Sequence, residues 1–249
     1  MKLTGNTIFI TGGGSGIGRG LAEAFHKRGN QVIISGRRKG HLAETTKANP
    51  GMYSLELDIQ DPANTAAVAK KLIAAYPKLN VLINNAGIMQ ADNAGGEIDE
   101  AVLVPTITTN LLGPIRMTSA LIEHFKKQDA ATVINVSSGL GFVPLAMSAI
   151  YSSTKAALHS YSLSMRYRLK GTSVKVLELA PPWVRTDLMN SNEAAQAMPL
   201  AEFIAEAMRV LETDAEEVLV ERVKMLRNNA GPGEAAFVNQ FNDMISQMH

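Results

Sequence analysis

The apolar run 6–11 (NTIFIT) opens straight into Gly12-Gly13-Gly14-Ser15-Gly16-Ile17-Gly18, and a helical pattern starts where the glycines end. A strand, a glycine-rich loop and a helix in that order form the first half of a strand–helix–strand unit. Glycines let the backbone turn tightly and come close to a pyrophosphate. The helix N-terminus adds unpaired N–H groups and the positive end of its dipole. A glycine-rich loop alone says little, but one placed between a first strand and a first helix is a strong dinucleotide signal. The spacing here is Gly-x-x-x-Gly-x-Gly rather than the plain Gly-x-Gly-x-x-Gly.

The same alternation continues down the chain. Short β-branched runs at 6–11, 31–36, 52–57, 79–84, 131–137 and 173–179 predict strands, several of them apolar on both faces. Helical patterns at 17–29, 38–48, 62–76, 99–127 and 150–170 fall between them. Buried parallel strands separated by helices predict an α/β, Rossmann-type doubly wound parallel sheet of six to seven strands. Gly113-Pro114 is expected to interrupt the 99–127 helix. Beyond Thr186, residues 200–212 read as a helix and 217–223 as a last strand or a helix start. A loop at 228–234 then precedes a short amphipathic helix ending near 246. No linker divides the chain. One domain over 1–249 is expected, with a dinucleotide-binding core to about 187 and a helical C-terminal part from about 188.

Two further positions give the chemistry. At the end of the second strand, where an acidic residue would take a ribose 2′-hydroxyl, the chain has Ser35-Gly36-Arg37-Arg38. Paired arginines suit a 2′-phosphate, so NADP(H) is favoured, with NAD(H) as the alternative. Downstream, Tyr151 and Lys155 lie four residues apart, one turn along a single helix face, and Ser138 lies thirteen residues before Tyr151. A free Tyr has a pKa near 10, and a nearby ammonium is expected to lower it. A hydroxyl held beside the pair could fix a carbonyl oxygen. The set reads as a proton-relay site for carbonyl/alcohol chemistry.

Composition removes other classes. Lys and Arg number 24 against 23 Asp and Glu, which argues against a nucleic-acid or polybasic membrane surface. There is no cysteine, so disulfides, zinc thiolates and a cysteine nucleophile are excluded. His26, His41, His124, His159 and His249 make no metal-ligand spacing, and no metal is expected. No run is long enough to span a membrane and no secretory signal is read, so a cytoplasmic location is expected. A serine hydrolase would need a Gly-x-Ser-x-Gly elbow, which is absent.

TGGGSGIG, Asn84-Asn85-Ala86-Gly87, Asn110, Ser138 and Tyr151-x-x-x-Lys155 together resemble the short-chain dehydrogenase/reductase family, over residues 6 to about 187. LINNAGI, SSGLGF, TKAALHSYSLSMR and LELAPPWVRTDL are most similar to its DltE-type branch. The resemblance implies that Tyr151 is the general acid/base and that Lys155 lowers its pKa and binds the nicotinamide ribose. It implies that Ser138 orients the substrate oxygen and Asn110 holds a water linking Lys155 to solvent. Gly12, Ser15, Gly16, Ile17 and Gly18 would line the phosphates. Asp58 would meet the adenine edge, with Asn84, Ala86 and Gly87 over the adenine-ribose side. Pro181, Val184 and Thr186 would meet the carboxamide, although Pro181-Pro182 stands where the family has Pro-Gly. Met89, Leu140, Phe142, Val143, Trp183, Leu188 and Met189 fall on loops after strand ends and suggest an apolar or bulky carbonyl or alcohol substrate. The family's usual C-terminal strand ending is missing.

The helices at 99–127 and 150–170 carry Leu111, Leu112, Ile115, Leu158, Leu163 and Met165, more apolar surface than one sheet face covers. The resemblance implies pairing of these helices across a two-fold axis. A homodimer is expected, a tetramer being the alternative. A non-catalytic dinucleotide sensor on the same fold is the competing function; such proteins typically lack the tyrosine or lysine kept here.

Overall fold

The computed structural model describes residues 1–247, so His249 lies outside the described residues. Seven strands, β1 (Thr7–Thr11), β2 (Gln31–Gly36), β3 (Tyr53–Glu56), β4 (Leu79–Asn84), β5 (Ala131–Val136), β6 (Val174–Leu179) and β7 (Glu217–Val218), form one sheet in the order β3-β2-β1-β4-β5-β6-β7. Every pairing is parallel. The order reverses between β1 and β4, so the crevice at their carboxyl ends is where such a sheet binds ligands.

Successive side chains of a strand point to opposite faces, and the two cores follow that rule. Ile8, Ile10, Val32, Ile34, Val81 and Ile83 join one cluster with residues of α1 (Gly16–His26) and α7 (Leu200–Leu211). Phe9, Ile33, Leu82 and Val133 join the other with α3 (Pro62–Ala75) and α5 (Gly113–Phe125). The remaining helix between early strands is α2 (Lys39–Ala48). The 52–57 run gives only the four-residue β3, and its side chains are mostly exposed because β3 is a sheet edge.

The predicted 99–127 helix is three segments: α4 (Glu100–Ile107), a π-helical turn Thr108–Leu112, and α5. The Gly113-Pro114 break acts on the turn before it. In an α-helix the Asn110 carbonyl would accept from residue 114, and Pro114 has no N–H. The backbone opens to an i→i+5 bond instead, from Gly113 N–H to Thr108 O. Asn110 sits inside this widened turn, and π-turns are frequent at functional sites.

α6 (Ala149–Arg168) packs beside α4. Of the residues expected to form a surplus apolar face, Leu158 and Met165 are buried within the chain instead. The exposed apolar groups on α4 and α6 are Val104, Leu163 and Tyr167, at 53%, 46% and 69% exposure. The stretch 217–223 holds both expected elements, β7 and the start of α8 (Glu221–Arg227), and α9 (Glu234–Ser246) follows. No helix among the described residues is long and apolar enough to cross a membrane.

Candidate active site

A cavity of about 700 Å³ runs along the carboxyl ends of the strands, a size suited to a cofactor and a small substrate. Gly12, Ser15, Gly16, Ile17 and Gly18 line one end. Gly12 (φ +68) and Gly16 (φ +51) hold left-handed backbone that a side chain disfavours. Ser15, at the N-cap of α1, makes no capping bond with its side chain, and the first turn carries no acid. Its amides therefore face the cavity without an internal anion. A Cβ on Gly18 would lie 2.3 Å from Gly12 O and 2.4 Å from Asn85 Nδ2. Gly18→Ala is expected to cost about 1–3 kcal/mol through this overpacking and to weaken dinucleotide binding. Thermal denaturation and a binding titration check both; an unchanged melting temperature would refute the close approach.

Arg37 and Arg38 also line this end, and neither forms an ion pair among the described residues. Arg38 Nη2 donates to Ser15 Oγ at 2.7 Å, tying the β2 end to the glycine loop. The glycine loop and two guanidiniums without an acidic partner among the described residues fit a phosphorylated dinucleotide.

Two of the expected cofactor residues, Asn84 and Asp58, do not line the cavity. Asn84 is buried, and its amide donates to Thr118 Oγ1 and Asn135 Oδ1 inside the fold. The neighbouring Asn85 lines the cavity instead, donating to Thr11 O and Gly12 O, and so clips the glycine loop to β4. Asp58 is not a wall residue: its carboxylate accepts from Gln60 N–H at 3.0 Å, while Leu57, Ile59 and Gln60 line the cavity. Ala86 and Gly87 are wall residues, as are Pro181, Val184 and Thr186. Thr186 faces Gly16 across the cleft, its Cγ2 3.3 Å from where a Cβ would stand. Ser191, which no motif marks, braces this far side by donating to Val184 O.

α6 brings Tyr151 and Lys155 to the centre of the cavity, both buried, with Lys155 Nζ 5.5 Å from the Tyr151 ring centroid. Burial pushes the Tyr151 phenol up to about 12, and the Ser138 hydroxyl pulls it partly back. The expected lowering by the ammonium is not what governs the phenol: burial raises it, and the group that lowers it is Ser138. Burial likewise lowers Lys155 to about 8, against an opposing pull from the Glu178 carboxylate. Lys155 Nζ donates to Val136 O at 2.9 Å. Ser138 Oγ accepts from Leu140 N–H at 3.1 Å, which leaves its own proton free to donate. Asn110 is fully buried, and its amide clamps the Ile88 backbone, accepting from its N–H and donating to its carbonyl. The side chain is thereby committed to positioning the loop at Gly87 and Ile88 beside Lys155.

Met89, Leu140, Trp183, Leu188 and Met189 line the cavity, but Phe142 and Val143 do not. Val143 is buried, and Phe142 lies edge-on to the His159 ring. Met225, Leu226, Phe241 and Ile245 from the C-terminal helices complete the apolar wall. Asn242 anchors α9 there, accepting from Ala146 N–H and donating to Pro144 O.

A nucleotide cradle at a topological switch point, with a buried tyrosine–lysine pair at its centre, defines a dinucleotide-dependent oxidoreductase. The model of the short chain dehydrogenase family matches residues 6–197, and the chain belongs to that family. It is 38% identical to the uncharacterised oxidoreductase DltE of Bacillus subtilis, over 92% of this chain and 93% of that one. It is 31% identical to an NADP-dependent 3-hydroxy acid dehydrogenase of Schizosaccharomyces pombe, over 75% and 74%. A solved short-chain dehydrogenase from Burkholderia cenocepacia, in complex with NADP, superposes with a TM-score of 0.85 at 25% identity, covering 96% of this chain and 98% of that one.

Proposed function

We propose that this chain is an NADP(H)-dependent carbonyl reductase and alcohol dehydrogenase acting on apolar or bulky compounds. The observation that carries the reading is the buried Tyr151–Lys155 pair in a cavity whose far end holds the glycine loop and the two arginines. When bound, the nicotinamide supplies the hydride to the carbonyl carbon. Ser138 donates to the substrate oxygen and fixes it beside the Tyr151 hydroxyl, which hands that oxygen its proton. The Lys155 charge then stabilises the phenolate left behind. Placing the carbonyl between these groups supplies orientation as well as acid catalysis. The methionines, Trp183, Phe241 and Ile245 exclude water and favour apolar substituents.

Consumption of NADPH and NADH, followed across a panel of aliphatic and aromatic aldehydes, ketones and alcohols, tests the reading. Turnover with NADPH on apolar carbonyls is expected. Tight dinucleotide binding with no turnover on any of them would favour the sensor reading.

The exposed Val104, Leu163 and Tyr167 support a symmetric dimer through α4 and α6. The C-terminal helices line the cavity and so leave this face uncovered. Light scattering at micromolar concentration is expected to give twice the chain mass for the wild type and the single-chain mass for Leu163→Glu/Tyr167→Glu. A monomeric wild type would overturn the assembly.

A further inference from the structure

The loop 144–148 leads from the turn after Ser138 to the start of α6, and its Leu145 and Met147 line the cavity. One side of it is held to α6 and to the segment after β4. Leu145 N–H donates to Ser152 Oγ at 3.1 Å. Asp92 N–H donates to Met147 O at 2.9 Å. The Asp92 carboxylate accepts from Ala149 and Ile150 N–H, at 3.1 and 2.9 Å. A carboxylate on the first helical amides caps the turn that carries Tyr151. The loop is therefore a fixed seat beside the proton donor.

α9 sits on this seat, and one side chain ties it there. Ala146 N–H donates to Asn242 Oδ1 at 2.6 Å, and Asn242 Nδ2 donates to Pro144 O at 3.0 Å. Among the described residues, no other side chain of α9 hydrogen-bonds outside the helix. Phe237, Val238, Phe241, Asn242 and Ile245 share one face at helical spacing. These five are half-buried, and the rest of α9 is exposed. An apolar stripe pressed on a core becomes fully buried. No residue of α9 does, because Phe241 and Ile245 turn to the cavity. Gly231, at φ +132, and Gly233 precede the helix, so the connection restrains its angle little.

We propose that Asn242 is a positioning residue for substrate selection: it docks α9 on the loop before Tyr151, so that Phe241 and Ile245 take the apolar substituent of a carbonyl compound whose oxygen lies at Ser138 and Tyr151. The inference rests on the carbonyl reductase reading of that site. Ser138 and Tyr151 stand at the two ends of one connection, and Asn242 grips its middle through Pro144 and Ala146. The roof over the apolar group and the groups at the reacting oxygen thus share one support. Binding of a remote group orients a reacting bond only where the two positions are held in fixed relation. A small carbonyl compound does not reach the roof, so preference for bulk resides in α9.

Kinetics of the full chain with benzylacetone and butanone, methyl ketones that differ by one phenyl group, test this. In Asn242→Ala the preference for benzylacetone, as a ratio of kcat/KM, is expected to fall about tenfold, through KM, on the scale of two lost hydrogen bonds. Phe241→Ala/Ile245→Ala should show the same loss. Adding Asn242→Ala to that pair should then change the ratio little, because Asn242 acts through those side chains. An unchanged ratio in Asn242→Ala, or full additivity, overturns the inference; a merely structural role would lower both ketones alike. A second readout needs no turnover. Trp183 is the chain's only tryptophan and stands in the cavity wall. Its quenching by acrylamide is expected to rise in Asn242→Ala, and benzylacetone is expected to shield it about tenfold less effectively than in the wild type. Equal quenching and equal shielding overturn the inference. A wild type that reduces no carbonyl would end the reductase reading, and the Trp183 measurements would still decide whether Asn242 sets the apolar roof.

Discussion

Tyr151→Phe is expected to lower carbonyl reduction by about 10²–10⁴-fold, the range general acid–base catalysis supplies, while NADPH affinity is retained. The substitution removes one hydroxyl and leaves the ring that packs beside Lys155. With the phenol pushed up to about 12, Tyr151 is protonated throughout the neutral range and suited to act as the acid. Lys155 is the group that titrates nearby. Its pKa lies below the ordinary value, at about 8, so the ammonium is present below that pH and lost above it. kcat/KM for reduction is therefore expected to be level near neutrality and to fall as pH rises through about 8. In the Phe variant no phenolate forms, and that alkaline limb should vanish from the residual rate. Steady-state rates across pH, with dinucleotide affinity measured by fluorescence, check both statements. Near-normal turnover in Tyr151→Phe would overturn the role of the hydroxyl.

What the sequence revealed of this site was what lies close together in the chain. Tyr151 and Lys155 are one helical turn apart, so their meeting follows from helix geometry alone. The glycine loop is contiguous with β1 and α1, and its role could be read from its place between them. Asn84 and Asn85 show where such reading stops. Neighbouring residues at a strand end point to opposite sides, and the motif does not say which one faces the cavity. The outcome depends on Thr118 and Asn135, which reach Asn84 from α5 and β5. Asn242 meets Pro144 and Ala146 from a distant stretch of chain with no shared spacing, so their contact could not be found before the fold was known. Desolvation of Tyr151 was hidden for the same reason, since burial is a property of the whole fold. The C-terminal wall had a weaker signal still. The amphipathic pattern of α9 predicts an apolar face but not that Phe241 and Ile245 turn it toward the cavity.

Removing both Arg37 and Arg38 is expected to weaken NADPH by about 10²–10⁴-fold and NADH by far less. Each charge-assisted bond to a 2′-phosphate is worth about 1.5–3 kcal/mol, and every 1.4 kcal/mol is about tenfold in affinity. The two singles should differ in kind. Arg37 has no ion-pair partner among the described residues, so Arg37→Ala removes a phosphate contact and little else. Arg38 is bonded to Ser15 Oγ at 2.7 Å, so Arg38→Ala also loosens the glycine loop and should weaken NADH measurably. Gly36→Asp supplies the converse. A Cβ at Gly36 would meet nothing closer than Leu42 Cδ2 at 3.8 Å, so the residue fits without strain. Its carboxylate would repel a 2′-phosphate and accept from a 2′-hydroxyl, turning preference toward NADH. Binding titrations of both dinucleotides against the wild type and the four variants decide the matter. A wild type that already binds NADH more tightly would overturn the assignment of these arginines, and Gly36→Asp would then have no preference to reverse.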